Sequence, residues 1–383
     1  MADRFTLKKY STSRFFDSTL MLTVILLIIF GLVVLYSVSS YEASVTFNDP
    51  TYYFRKQAIS TVVGLVVMFV VAITPYRLWE RFWGLAYIFA MGLLFLIIPF
   101  GYEANGAKRW LRFMGTSIQP AEVAKLAIII SLAHIVCRLG NAITTWKGFF
   151  IAVGSSVPMV IAIYVITRNL SSAIIVFGIA FIMCFVVSTD YKKFVLMTLF
   201  GAAVTALMVY VVVQNKGAAM GFRGERILAW LDPNAYASGK GFQTLQALYA
   251  IGSGGMFGKG IGQSMQKLGF LPEAQNDMIF SIICEELGFF GALCVIALFL
   301  MLLWRCMVTV NNATDMFGAL LVVGFMGHIA IQVILNIAVV TNTIPNTGIS
   351  LPFISYGGSS VVALLFEVGL VFSVQRGITV RDS

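Results

Sequence analysis

Residues 16–40 read FDSTLMLTVILLIIFGLVVLYSVSS, twenty-five residues carrying one charge, Asp17. As a helix the stretch is about 37 Å long, more than the ~30 Å hydrocarbon core of a bilayer. It is too long for the apolar core of a signal peptide, so it is expected to be retained as a helix. Similar runs follow at 57–75, 81–101, 119–138, 145–167, 170–188, 193–214, 278–304, 314–341 and 350–374. In lipid every backbone amide must find its partner within its own segment, so these runs are helices. The residue alternation of a membrane β-barrel is absent. The chain therefore reads as a single all-α polytopic membrane domain, 1–383, with about ten transmembrane helices.

Composition agrees: 59% of the 383 residues are hydrophobic, 11% are charged, and the mean hydropathy is +0.90, which excludes an ordinary soluble domain. The five cysteines show no C-x-x-C spacing, so neither a zinc site nor a disulfide framework is indicated. His134 and His328 both fall within spans, where a helix–helix hydrogen bond is the simplest reading.

Lys and Arg in short loops mark the cytoplasmic side. The amino-terminal tail (1–15) carries Arg4, Lys8, Lys9 and Arg14. With alternate short loops and the carboxy-terminal tail (375–383), that face holds thirteen basic residues against six on the other. Both termini are thus expected in the cytoplasm. The segment 215–277, between helices seven and eight, becomes a large extracellular loop. It is too long for a plain connection and too rich in Gly, Trp, Tyr and Leu for disorder. Within it, AIGSGGMFGKGIGQ (250–263) holds six glycines yet fits neither a Walker A loop nor a dinucleotide fingerprint. Those glycines are expected to allow tight turns and close approach to the membrane surface or a ligand. Lys108, Arg109 and Arg112 sit together on the face where positive charge is normally sparse, as an anion site or a headgroup contact would require.

Ionisable residues at membrane depth are costly and therefore point to function. Glu122 and Lys125, spaced i, i+3 after Pro120, share a helix face and are expected to pair. Asp277, Ser281 and Glu285 form an i, i+4, i+8 stripe that enters span eight from outside. Asp277 alone would suit a helix N-cap, whereas Glu285 lies two turns deeper, where it needs a cavity or a polar partner. Span ten opens with LPFISYGGSS (351–360), whose glycines and hydroxyls, among them Ser355 and Ser359, suit a broken, polar helix start. Spans four, eight and ten all enter from the same side, so their polar ends can meet in one outward-opening pocket.

LPFISYGGSS following IPNTG (344–348) resembles the signature of the SEDS family (shape, elongation, division and sporulation; the RodA, FtsW and SpoVE group). So do GAKRW and SIQPAEVAKLA between 106 and 127, and ILAWLDPNAYASGKGFQTLQALYAIGSGGMFGKGIG (227–262). LPEAQNDMIFSIICEELGFFG (271–291) completes the set, and the resemblance runs from YSVSS (36–40) to the last helix. It implies a ten-helix enzyme of the bacterial cytoplasmic membrane that polymerises lipid II into peptidoglycan strands, an inverting glycosyltransferase with an undecaprenyl-diphosphate leaving group. It implies a class B penicillin-binding protein, a transpeptidase, as partner, alongside membrane lipids and no nucleic acid. It also places the catalytic aspartate on Asp277 and puts Glu122 and Lys125 in a central cavity. The chain departs from the family at TRNLSSA (167–173), where Asn169 stands in place of an acid, and at Gln275–Asn276 before the aspartate.

Glycosyl transfer from a lipid pyrophosphate needs a base for the acceptor hydroxyl and cations for the departing diphosphate. Asp277 is the candidate base. Arg109, Lys125, Arg226 and Lys259 are candidate diphosphate or peptide contacts, and Glu122, Glu285, Ser355 and Ser359 complete the expected substrate site. A divalent cation such as Mg²⁺ or Mn²⁺ suits a pyrophosphate, though no ligand cluster in the sequence specifies one. The rival reading is a flippase for the lipid-linked precursor, and a weaker one is a scaffold for a synthase. Charge gathered towards one membrane face favours the enzyme.

Overall fold

The computed structural model describes residues 12–14, 17–104, 107–113, 116–215 and 221–381; Arg4, Lys8, Lys9 and most of the expected amino-terminal tail lie outside them. Ten spans among the described residues are long and apolar enough to cross a membrane. They are α1 (Ser18–Phe47), α2 (Tyr52–Ile73), α4 (Trp83–Phe100), α5 (Pro120–Leu139), the pair α6 (Trp146–Gly154) and α7 (Val157–Thr167), α8 (Leu170–Val187), α9 (Lys192–Gln214), α12 (Ile279–Asn312), α13 (Met316–Val340) and α14 (Gly358–Gly377). The short α3 (Arg77–Arg81) joins α2 to α4. Helices α10 (Phe222–Leu231) and α11 (Phe242–Gly254) lie in the long segment between α9 and α12.

Three expectations change in detail. The span at 145–167 is two helices, with Pro158 in the first turn of the second. The last span begins at Gly358 rather than 350, because Pro352 and its neighbours run in non-helical backbone. The chain is also not purely helical. Strand β1 (Thr12–Arg14) pairs antiparallel with β5 (Thr379–Arg381), and β2 (Gly101–Ala104), β3 (Ala107–Phe113) and β4 (Thr116–Ile118) form a small antiparallel sheet before α5.

The β1–β5 pair brings the two ends of the chain to one face of the bundle. There Asp17 caps α1 and accepts from Arg305 at 2.7 Å, and Asp315 caps α13 while accepting from Tyr76 at 2.6 Å. Close backbone approach helps to hold the core. A Cβ on Gly369 of α14 would lie 2.7 Å from the Met68 carbonyl oxygen of α2, and one on Gly31 of α1 would lie 2.5 Å from that of Phe353. Small residues at such crossings let backbones touch where lipid offers no hydrophobic drive. His328, wholly buried, bonds Glu367 of α14 as a helix–helix contact should. His134 instead stacks on Trp83 at 4.9 Å.

Candidate active site

At the face opposite the termini, the starts of α2, α5, α8 and α14 and the ends of α7 and α9 surround a cavity of about 2520 Å³. That is larger than the ~300–1,000 Å³ of a small-molecule pocket. Its lining includes Asp277, Glu122, Arg109, Arg168, Arg226 and Ser359.

Asp277 is set by the turns that precede α12. It does not cap that helix: the cap position is Met278 and no side chain bonds there. One carboxylate oxygen, Oδ1, is buried and has no hydrogen-bond partner among the described residues. Burial pushes the carboxyl up from 3.8 to about 7; Glu273 adds to the rise and Arg226 opposes it. A carboxylate poised near neutrality in a cleft is what a general base requires. Gly348, at φ 69°, lies alongside, and a Cβ there would stand 3.6 Å from Oδ2.

Glu122 and Lys125 pair as expected, at 2.9 Å, with side chains 8% and 1% exposed. Glu122 lines the cavity and also accepts from Ser360 at 3.1 Å, whereas Lys125 lies behind it and reaches Gln332 on α13 at 3.4 Å. Ser359 accepts from the backbone N–H of Gln119, satisfying one of the open donors at the start of α5. Arg226 donates to the Asn346 carbonyl at 3.1 Å, and Trp230 to that of Asn342 at 3.0 Å, which ties α10 to the segment before α14. Arg109 donates to the Thr167 carbonyl at 3.3 Å and lines the cavity. In the positive cluster, Arg112 also lines the cavity, lying over the Tyr102 ring, but Lys108 does not. Asn169 caps α8 through its side chain, accepting from Ser172, a role for which an amide serves as well as an acid.

Besides Lys125, three expected members lie elsewhere. Ser355 is buried and accepts from the Leu351 N–H at 2.8 Å, closing a turn of the non-helical segment. Glu285 and Lys259 bond each other at 2.7 Å outside the cavity lining. Glu285 also accepts from the backbone N–H of Met265 and from Ser264. The stripe Asp277–Ser281–Glu285 therefore does not face one cavity, and Ser281 is wholly buried. The reason is that α12 begins only at Ile279, so Asp277 stands in the turns before the helix and not on its stripe; three residues beyond Glu285 the helix itself has a break, at Gly288, with φ 68° and ψ −165°. The glycine-rich loop docks into that break. The N–H groups of Lys259 and Gly260 donate to the carbonyls of Glu285 and Glu286, and those of Phe289 and Phe290 donate to Gly255 and Met256. The glycines permit close approach as expected, but the surface approached is the chain's own helix. A Cβ on Gly258 would fall 2.2 Å from the Glu286 carbonyl oxygen.

Sequence reasoning missed Gln332 and Asn336, which are buried on α13 and bonded to the polar groups around the site. Their signal was present: with His328 they form an i, i+4, i+8 polar stripe on an apolar helix. Among the described residues no group of three or more His, Cys, Asp or Glu side chains could hold a metal ion.

The family model described as "Cell cycle protein", covering FtsW, RodA and SpoVE, matches residues 17–379. The chain belongs to this family. It is 36% identical over 362 residues to stage V sporulation protein E of Bacillus subtilis, covering 94% of this chain and 97% of that one. It is 35% identical over 368 residues to the probable peptidoglycan glycosyltransferase FtsW of Trichlorobacter lovleyi, covering 95% and 94%. A chain of a peptidoglycan synthase complex that coordinates polymerization and crosslinking has the same fold, with TM-score 0.77 and 26% identity over 94% of this chain and 98% of that one. The rod shape determining protein RodA of Thermus thermophilus shares the fold at TM-score 0.66 and 24% identity, covering 97% and 98%. Family and spans together make this SEDS member a multi-pass protein of the cytoplasmic membrane.

Proposed function

We propose that this SEDS protein is a peptidoglycan glycosyltransferase that polymerises lipid II, with Asp277 as the general base. The observation that carries the reading is a carboxylate with an unpartnered buried oxygen on the wall of a large cavity lined by Arg109, Arg168 and Arg226. In this reading Asp277 takes the proton from the acceptor sugar hydroxyl as its oxygen attacks the anomeric carbon of the donor. The C–O bond to the diphosphate breaks with inversion, and the guanidinium groups balance the charge left on the departing lipid diphosphate. Glu122 shapes the wall and Lys125 neutralises it from behind. Lys259 and Glu285, proposed from sequence as substrate contacts, hold the glycine-rich loop instead. A Mg²⁺ or Mn²⁺ ion would bind mainly through the diphosphate, with one or two carboxylates beside it at most.

The excess of basic residues on the terminal face supports placing that face in the cytoplasm and the cavity at the outer surface. Likeness to a chain of a peptidoglycan synthase complex supports a transpeptidase of the class B penicillin-binding type as partner. The test is to incubate the purified protein with lipid II in detergent, with and without such a partner, and separately in sealed vesicles. Glycan polymer in detergent is the expected result. Translocation of the lipid in vesicles with no polymer under any condition would make the protein a flippase.

A further inference from the structure

Asp277 and the glycine–serine rim of the cavity are far apart in sequence, and neither the turns bearing Asp277 nor the segment 345–357 that leads to the rim is regular in structure, so contacts must fix one against the other; one is direct, from the Tyr356 N–H to the Gln275 carbonyl at 2.9 Å. The polar stripe of α13 stands between them. Asn336, wholly buried, donates through one amide nitrogen to the Asp277 carbonyl at 2.8 Å and to the Ile349 carbonyl at 2.6 Å. The amide cannot be turned over, because its oxygen would then face two carbonyl oxygens. Its own Oδ1 is buried without a partner among the described residues, so this residue is held by what it donates. One turn earlier, Gln332 donates to the Ser350 carbonyl at 2.9 Å and accepts from Lys125 at 3.4 Å and from His328 at 2.8 Å. His328 is anchored in turn by Glu367. Neither amide side chain lines the cavity.

We propose that Asn336 is a positioning residue for the transfer reaction: its amide joins the turn bearing Asp277 to the segment leading into the rim at 357–360, while Gln332 sets Lys125 behind Glu122. The proposal rests on the reading of Asp277 as the base. An alternating spacing of four along one helix thus carries two supports, each bridging a reacting wall to the non-helical segment 349–350. Loss of the Asn336 donor frees both carbonyls in a buried place, where they must rearrange or admit water. The carboxylate then moves relative to the acceptor, and a misplacement of about 1 Å is typically worth about 10²-fold in rate.

The experiment uses the full-length protein in detergent with Asn336→Ala. Asn336→Leu, which keeps the volume without leaving an unpaired polar atom on the side chain, stands in where the alanine variant does not fold. Two readouts are taken: backbone hydrogen exchange, and the kinetics of polymerisation from lipid II. The proposal expects faster exchange confined to residues 273–280 and 347–353. It also expects kcat lowered by about 10²-fold with KM for lipid II changed much less. The acid limb of the pH profile should move to lower pH as water reaches Asp277 past Glu273 and Arg226, whereas a merely structural role would leave it in place. Unchanged exchange in both segments together with unchanged kcat overturns the proposal, as does faster exchange spread evenly over all helices. If exchange quickens in the two segments while the unmodified protein makes no polymer, the join is upheld and the glycosyltransferase reading fails.

Discussion

Removing one member of the Glu122–Lys125 pair should be worse than removing both. The two charges lie 2.9 Å apart at 8% and 1% exposure, so each depends mainly on its partner for compensation. In Lys125→Met, Glu122 keeps one hydrogen bond, from Ser360 at 3.1 Å. In Glu122→Gln, Lys125 keeps its contact with Gln332 at 3.4 Å, which is long for a charge-assisted bond. Each single change leaves a buried, poorly compensated charge, a defect that typically costs about 3–5 kcal/mol. The double variant buries no charge and should recover most of that loss, so the coupling energy in a double-mutant cycle, the two single losses less the double loss, should exceed either single loss of about 3–5 kcal/mol. The assay is thermal or denaturant unfolding of the four proteins in one detergent at one pH. Additivity within about 0.5 kcal/mol would show that the pair contributes nothing as a pair and would refute the reasoning.

Other outcomes follow from the same structure. Because the base must be ionised and burial raises Asp277 to about 7, polymerising activity should climb as pH rises through that value and level off above it; a flat profile from pH 5 to 8 would exclude the assignment. The sign for stability is opposite. Between the ordinary 3.8 and about 7 the folded protein binds a proton that the unfolded chain has lost, so the carboxyl costs stability as pH rises through that window. Asp277→Asn should therefore melt higher than the unmodified protein at pH 8, by at most about 4 kcal/mol, and the gain should shrink towards pH 4. Arg109→Ala, at the cavity wall, should weaken use of lipid II more than Arg138→Ala, an exposed change at the far end of α5, and equal activities would reduce Arg109 to a brace for α7. Gly258→Ala should loosen the loop from the break in α12, because φ there is 77° and a Cβ would meet the Glu286 carbonyl; unchanged protease resistance of residues 254–270 would contradict this.

The spans, their number and the pairing of Glu122 with Lys125 were legible because they depend on local rules: apolar length, and spacing along one helix. What was not legible depended on tertiary contacts. Nothing in EELGFFG marks Gly288 as a break, since the break exists only because the glycine-rich loop supplies the hydrogen bonds that the helix gives up. The separation of Asp277 from Glu285 was hidden too, because Asp277 precedes the helix and helical spacing cannot say which neighbour a deep face will meet. Ser355 was misplaced for a related reason: outside a regular helix, spacing does not tell which way a hydroxyl points. The α13 stripe was readable at 328, 332 and 336, but amides carry no charge to draw notice, and their role appears only when Asp277 and Ile349 are seen on either side.

The most direct test of the account is the glycan made from lipid II, in detergent and at pH 8, by the purified protein and by Asp277→Asn. The account predicts polymer from the unmodified protein and at least about 10²-fold less from a variant that folds and melts no lower than the unmodified protein, since an amide cannot accept the proton. Near-equal polymer from the two proteins would remove Asp277 from its place as the base.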